Sequence, residues 1–198
     1  MNKDWTGNSK TTFSTLGASS HSKNEREEND YYATDPIAIE KLLELESFSN
    51  VWESACGEGH LSEVLKLNKI HGKSTDLIDR TYGVGGIDFL KQTEKWNGDI
   101  ITNPPFKYAQ EFAEKAIELI NDGNKVALFL RIQFLETKDR KLFFKNYPPK
   151  YVYVSSSRIT CAMNGDFLKY KKTGSASCYC WFVWEKGYKS DTIIKWFN

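Results

Sequence analysis

The chain has 198 residues, 40% of them apolar, with 27 Lys and Arg against 26 Asp and Glu and a net charge of +1. That length and apolar content suit one α/β core of ordinary size. The chain carries no apolar run near 18 residues and no basic-then-apolar leader, so by these signals it is neither membrane-spanning nor secreted, and a cytoplasmic protein is expected.

Residues 1–28 are polar and unpatterned and end in Glu25-Arg26-Glu27-Glu28. By composition they form a flexible amino-terminal arm, and residues 29–198 form a single domain. Cys56, Cys161, Cys178 and Cys180 lack the spacings of a zinc site or a disulfide framework, so reduced thiols and no metal are expected. Asp30-Tyr31-Tyr32-Ala33-Thr34-Asp35-Pro36 precedes a helix carrying Ile37, Ile39, Leu42, Leu43 and Leu45. Asp35 suits its N-cap and Pro36 its first residue.

Val51-Trp52-Glu53-Ser54-Ala55-Cys56-Gly57-Glu58-Gly59-His60 then runs from an apolar strand, through a small-residue turn, into a helix with Leu61, Val64, Leu65 and Leu67. Gly57 and Gly59 let backbone approach a ligand closely. The third glycine of a dinucleotide fingerprint is missing, and no P-loop Lys-Ser/Thr follows, which disfavours a triphosphate. Lys73-Ser74-Thr75-Asp76-Leu77 reads as the second strand. Asp76 falls about 20 residues past the glycine turn, where a carboxylate can accept both hydroxyls of a ribose. Asp88-Phe89 follows Gly85-Gly86-Ile87 in a later loop. Taken singly, Asp76 and Asp88 are also explained as cap or turn residues.

Asp99-Ile100-Ile101-Thr102 reads as the end of a buried strand, and Tyr108, Phe112, Ala116, Ile117 and Ile120 recur at helical spacing beyond it. Asn103-Pro104-Pro105-Phe106 therefore sits at the carboxyl end of a strand, where open α/β sheets bind ligands. The prolines hold the chain extended and keep its carbonyls out of a helix. An exocyclic amine could be gripped by the Asn103 oxygen and the Pro104 carbonyl, with Phe106 stacked on the ring that bears it. At average composition such a tetrapeptide arises in about one chain of this length in several hundred. The plain alternative is a Pro-rich turn whose Asn caps the next helix.

Lys125 to Leu130 follows as a buried strand ending at Arg131 and Gln133, then a helix near 138–146, a strand at Tyr151 to Ser155, and a polar loop at 163–176. The last strand, Cys178 to Trp184, is apolar on both faces, which marks it as central. The alternation predicts a mostly parallel sheet closed by one antiparallel hairpin strand. Charge is unevenly spread: residues 1–137 carry 15 Lys/Arg against 22 Asp/Glu, and 138–198 carry 12 against 4. Arg131, Arg158, Lys169, Lys171 and Lys172, interleaved with Phe167 and Tyr170, suit phosphate contacts with a stacking aromatic.

The tetrapeptide resembles the signature of amino-methyltransferases, and the glycine turn with Glu53 ahead of it resembles the AdoMet-binding motif of class I methyltransferases. The order of Tyr-Ala-Thr-x-Pro, glycine turn and Asn-Pro-Pro-Phe is similar to the gamma arrangement of DNA adenine-N6 methyltransferases. Over residues 8–186 the wording is similar to small methyltransferases of phages and mobile elements. This resemblance implies a Rossmann-like class I methyltransferase fold and S-adenosyl-L-methionine as cofactor. It implies that Tyr32, Ala33 and Thr34, with Glu53, Ala55, Cys56, Gly57 and Gly59, Asp76, Asp88, Phe89 and Asn103, hold that cofactor. In it Thr34 helps hold the methionine carboxylate, Asp76 the ribose, and Asp88 and Phe89 the adenine, while Thr15 to His21 order over the cofactor. Asn103, Pro104, Pro105 and Phe106 are then the catalytic residues. Two departures stand out: His60 replaces the usual Asn, and no separate target-recognition domain fits the chain.

The expected activity is methyl transfer to adenine N6 in DNA. Related signatures also serve an RNA base (adenine N6 or guanine N2) or a protein glutamine amide. A non-catalytic nucleic-acid-binding module is the reading from a different class, and it has no use for the donor-site acids. A chain this short, with only the arm and the 163–176 loop to spare, has little to read a long sequence in a groove. Replacing Lys169, Lys171 and Lys172 by Ala should weaken binding about equally across DNA sequences and flatten its salt dependence. Full affinity with an unchanged salt slope in that variant would contradict the assignment.

Overall fold

Strand segments that are apolar on both sides in the sequence end up with both sides covered. The computed structural model describes residues 32–163 and 177–198. In chain order the elements are β1 (Tyr32–Thr34), α1 (Ile37–Leu45), β2 (Val51–Glu53), α2 (His60–Leu67), β3 (His71–Ser74) and β4 (Ile100–Thr102). There follow α3 (Ala109–Leu119), β5 (Lys125–Arg131), α4 (Arg140–Asn146), β6 (Tyr151–Ser155), β7 (Cys161–Met163), β8 (Tyr179–Glu185) and β9 (Ile193–Phe197). Single 3-10 turns lie at Phe89–Lys91, Phe106–Tyr108 and Ile132–Leu135.

The seven-stranded sheet has the order β3-β2-β4-β5-β8-β6-β9. β8 runs antiparallel to both of its neighbours, and every other pair is parallel. The carboxyl ends of β2, β3, β4, β5 and β6 therefore share one edge, and the candidate residues gather there. The alternation of β8 divides the core. Cys180, Phe182 and Trp184 join Trp52, Ile100, Val126 and Leu128 under α3 and α4. Trp181 and Val183 join Val51, Ile101, Ala127 and Phe129 under α1 and α2. The result is three layers, α/β/α. Trp181 and Trp184 meet their polar requirement by donating to the carbonyls of Ala38 and Tyr147.

Asp99 ties the opposite edge together. Its buried carboxylate accepts from the Ser49 and Lys125 N–H groups, each at 2.7 Å, and from the Asn124 amide at 3.2 Å. One side chain thereby fixes the starts of β2, β4 and β5 relative to each other.

The structure departs from the sequence expectation in three places. β3 starts at His71 and stops at Ser74, so Asp76 stands beyond the strand instead of within it. The reason is local: the Asp76 N–H turns to the Val84 carbonyl, and Thr75 forms a lone parallel bridge with Val84. The hairpin expected between β6 and β8 is interrupted by β7, which pairs with β1 in a small antiparallel sheet. β9, not anticipated, extends the far edge parallel to β6. Residues 1–28 of the expected arm, with Thr15 to His21, and the loop residues Phe167, Lys169, Tyr170, Lys171 and Lys172 lie outside the described residues.

Candidate active site

The turn after β2 is shaped by two residues in left-handed backbone, Gly57 at φ 53° and Gly59 at φ 87°. The Gly57 N–H donates to Asp76 Oδ2 at 2.8 Å, so the turn and the end of β3 are one unit. The other oxygen, Asp76 Oδ1, accepts from the Ile78 N–H at 2.9 Å and from Arg80 at 3.1 Å. Asp76 thus arrives oriented and partly shared, not as a carboxylate with both oxygens open. Beside it the Leu77 side chain is 58% exposed, an apolar surface next to a charged acceptor. Gly59 serves a different end from the one expected. A Cβ there would lie 2.3 Å from the Tyr82 ring, so the close approach is to the protein's own aromatic, which also donates to Glu63 at 2.7 Å.

Several residues expected to touch cofactor are occupied elsewhere. The Phe89 ring is buried in the core, stacked on Phe112 at 5.0 Å and edge-on to Trp52 at 5.2 Å, so it cannot stack on an adenine. Asp88 caps the turn it precedes by accepting from the Leu90 N–H, and it pairs with Lys91. Glu53 lies beneath the glycine turn. It accepts from the Ser62 hydroxyl, which in turn meets Ser74 at 2.6 Å, and Ser74 meets His71 at 2.6 Å. Ala55 N–H donates to Thr102 Oγ1 at 3.2 Å, joining the β2 turn to the end of β4. Cys56 is buried, and burial, with Glu53 and Asp76 nearby, pushes its thiol up to about 12. It is a neutral wall residue. His60 opens α2.

The other half of the candidate site is built on Asn103. Its Nδ2 donates to the Tyr32 carbonyl at 3.0 Å and to Thr34 Oγ1 at 2.8 Å. Both β1 partners thus fix the amide's orientation. Its Oδ1 is buried and has no hydrogen-bond partner, one of two such side-chain atoms among the described residues, with Ser54 Oγ the other. A buried acceptor left unpaired costs about 1–3 kcal/mol, so such an atom calls for an explanation. Thr34 is 3% exposed, and its hydroxyl oxygen accepts from Asn103. The tetrapeptide's carbonyls are not both spared either. Pro105 accepts from the Tyr108 N–H at 2.9 Å, closing a 3-10 turn before α3.

Phe106 is half-buried, 6.1 Å from the Tyr32 ring and 6.0 Å from Tyr179. The Arg131 guanidinium lies over it at 4.8 Å from the centroid. Arg131 and Arg158 are both exposed on the edge formed by the ends of β5 and β6. An open hollow on the outer side of Phe106 is lined by Lys107, Gln110, Glu111, Thr137, Asp139 and Arg140. Asn103 does not line it, and its mixed charges single out no ligand.

Tyr179, Cys161 and Arg80 were not among the expected site residues. Tyr179 and Cys161 look like core in the sequence, because a strand apolar on both faces hides which member carries a useful hydroxyl or thiol. Arg80 could have been found from its spacing, four residues after Asp76.

No family model and no curated protein matches the sequence. Solved structures do match the fold. A Listeria monocytogenes protein assigned to the class I S-adenosylmethionine-dependent methyltransferases superposes over 81% of the chain with a TM-score of 0.53 at 13% identity. An Agrobacterium tumefaciens protein assigned as an O-methyltransferase does so over 74% at TM-score 0.52 and 10% identity. A chain of a type I restriction-modification system matches over 94% at TM-score 0.51 and 14% identity. The matches span 61%, 77% and 47% of those three chains. Identities this low establish the fold, a Rossmann-like α/β methyltransferase architecture.

Glu53 generates a test of the site's foundation. Burial raises its carboxyl from 4.5 to about 8, outweighing the Ser62 hydrogen bonds that favour the anion. The folded chain therefore keeps a proton that the unfolded chain loses, and stability drains away as pH rises between those two values. Glu53→Gln is neutral throughout. The variant's stability advantage, measured by urea unfolding, should widen as pH rises from about 5 to about 8. A pH-independent difference would contradict the burial of this carboxyl.

Proposed function

We propose that the protein is an S-adenosyl-L-methionine-dependent amino-methyltransferase acting on the exocyclic N6 amine of adenine in DNA. The observation that carries this reading is the buried, unpartnered Oδ1 of Asn103, whose amide is locked from behind by Tyr32 and Thr34. An exocyclic amine supplies the donor that atom lacks. Hydrogen bonds from its two N–H groups, one to Asn103 Oδ1 and one to the Pro104 carbonyl, favour a pyramidal nitrogen with its lone pair directed outward. Phe106 holds the base by stacking, which in duplex DNA requires the base to leave the helix. This is positioning and electrostatic stabilisation, with no covalent intermediate. The buried thiols fit that: burial holds Cys56, Cys161 and Cys180 near 12, too high for a thiolate nucleophile at neutral pH.

The cofactor assignment fits the residues present. The Gly57 turn and the Asp76 carboxylate form one hydrogen-bonded unit at the carboxyl ends of β2 and β3, where a ribose hydroxyl finds an acceptor and Leu77 offers an apolar face. When bound, S-adenosyl-L-methionine supplies an electrophilic methyl group on a sulfonium. Asp76 accepts from the ribose, and the ends of β2 and β4, joined through Ala55 and Thr102, set the distance between donor and acceptor sites. Of the residues first expected to hold the cofactor, Glu53, Asp88 and the Phe89 ring act in support of the turn and core.

The choice of nucleic acid over a glutamine amide, which presents the same two donors, rests on charge. Residues 138–198 carry 12 Lys/Arg against 4 Asp/Glu, and Arg131 and Arg158 are exposed on the site's edge. The fold likeness to a restriction-modification chain supports DNA. Among the described residues no helix is long and apolar enough to cross a membrane.

Purified wild type should bind S-adenosyl-L-methionine and yield N6-methyladenine in DNA by nucleoside mass spectrometry. Asn103→Ala should bind cofactor within a few-fold of wild type and lose nearly all transfer. Asp76→Ala should instead weaken cofactor binding by about 1–3 kcal/mol in calorimetry. Near-wild-type turnover of Asn103→Ala would remove the tetrapeptide's role. Methyl groups found on RNA or protein and not on DNA would move the substrate to the rival classes.

A further inference from the structure

Of the strands in the main sheet, β9 is the most exposed: four of its five residues stand in solvent. Three of them are large and apolar, with Ile193, Ile194 and Trp196 exposed by 45%, 50% and 68%. β9 ends the sheet and pairs with β6 on one side only. The Ile193 N–H donates to the Lys150 carbonyl, and the Phe197 carbonyl accepts from the Ser156 N–H. Alternate residues of a ladder bond to the same neighbour, so Ile193, Lys195 and Phe197 turn their backbone groups to β6. Ile194 and Trp196, with Thr192 just ahead of the strand, turn theirs outward. Edge strands are commonly blunted by a proline, a bulge or a charge. β9 has no proline and an unbroken register. Its one charge, Lys195, lies back over its own sheet, 4.3 Å from the Tyr151 ring centroid and 5.9 Å from that of Tyr153.

This edge complements itself. In an antiparallel pair with its two-fold axis at Ile194, that residue stands opposite its own copy and Trp196 stands opposite Thr192 of the second copy. The outward N–H and C=O groups are then paired. Ile194 and Trp196 share a face with their register partners Val152 and Val154. Each Trp196 lies diagonal to the second copy's Ile194, so the four side chains form one apolar strip. On the other face Ile193 meets the stem of the second copy's Lys195, whose ammonium lies diagonal to the exposed Asp191. An axis at Lys195 instead would set two lysines directly opposite each other, which like charge disfavours. We propose that β9 is a homodimer interface, pairing antiparallel with β9 of a second copy about an axis at Ile194. The match of the strand with itself, in backbone, apolar contact and charge, selects a second copy over an unlike partner. The carboxyl edges of the two sheets then face opposite ways, so neither candidate site borders the other.

Sedimentation equilibrium of the full chain at micromolar concentration should show a dimer. Ile194→Glu sets two carboxylates opposite each other and should give a monomer with unchanged circular dichroism, since the side chain it replaces is exposed in the single chain. Cysteine pairs test the register. Under mild oxidation Ile194→Cys should form an intermolecular disulfide, because directly opposite residues lie about 5.5 Å apart. Lys195→Cys should not, because its copy lies diagonally about 7–8 Å away. Wild type treated alike gives the background from Cys178, the one cysteine that is not buried. A wild type that stays monomeric would overturn the proposal, and so would a dimer that survives Ile194→Glu. A monomer whose Trp196 emission, read against Trp196→Phe, is quenched by a single-stranded oligonucleotide would give the edge to nucleic acid instead. A disulfide in Lys195→Cys and none in Ile194→Cys would contradict the axis at Ile194.

Discussion

The organisation of the site depends on one amide that is satisfied on one side and left wanting on the other. Asn103, at the carboxyl edge of the sheet, donates to Tyr32 and Thr34 and keeps a buried oxygen with no partner of its own. A protein stabilised only by its own contacts gains nothing from such an atom, because desolvating an acceptor without pairing it is a net cost. The proposed acceptor amine would make the missing bond. The β1–β7 pair serves this arrangement directly, since β1 supplies both acceptors and would otherwise be a stray three-residue strand.

The sheet order decides what that oxygen can meet. β2 lies between β3 and β4, so the glycine turn is joined on one side to Asp76 and on the other, through Ala55 and Thr102, to the strand that ends in Asn103. Asp76 and Asn103 are thus brought to one edge of the sheet by topology, although they lie 27 positions apart in the chain. On the other side of β4, the pairing of β5 with β8 places Arg131 and Tyr179 beside Phe106. Each part of the candidate site arrives on its own strand, held by a core in which β5 and β8 are buried on both faces.

The strands and helices that carry these groups were legible in the sequence because their signals are strong and local. The glycine turn, the apolar run of Cys178 to Trp184 and the double proline each admit few conformations. What escaped notice was set by tertiary competition for hydrogen bonds. Nothing in the sequence says that Thr34 would be consumed by Asn103, or that Phe89 would turn inward onto Phe112. Nor does it say that Arg80 would share Asp76 or that Tyr82 would fill the space over Gly59. The β1–β7 pairing joins residues more than a hundred positions apart, and strands of three residues leave almost no periodic trace.

The most direct test of the central claim is a binding comparison with the acceptor nucleoside in the presence of S-adenosyl-L-homocysteine. Adenosine and purine riboside differ only in the exocyclic amine that the Asn103 oxygen is held to receive. Adenosine should bind at least about ten-fold more tightly, a difference of about 1.4 kcal/mol, and the preference should disappear in Asn103→Ala. Equal binding of the two nucleosides by the wild type, or a preference that survives loss of the Asn103 amide, would contradict the account.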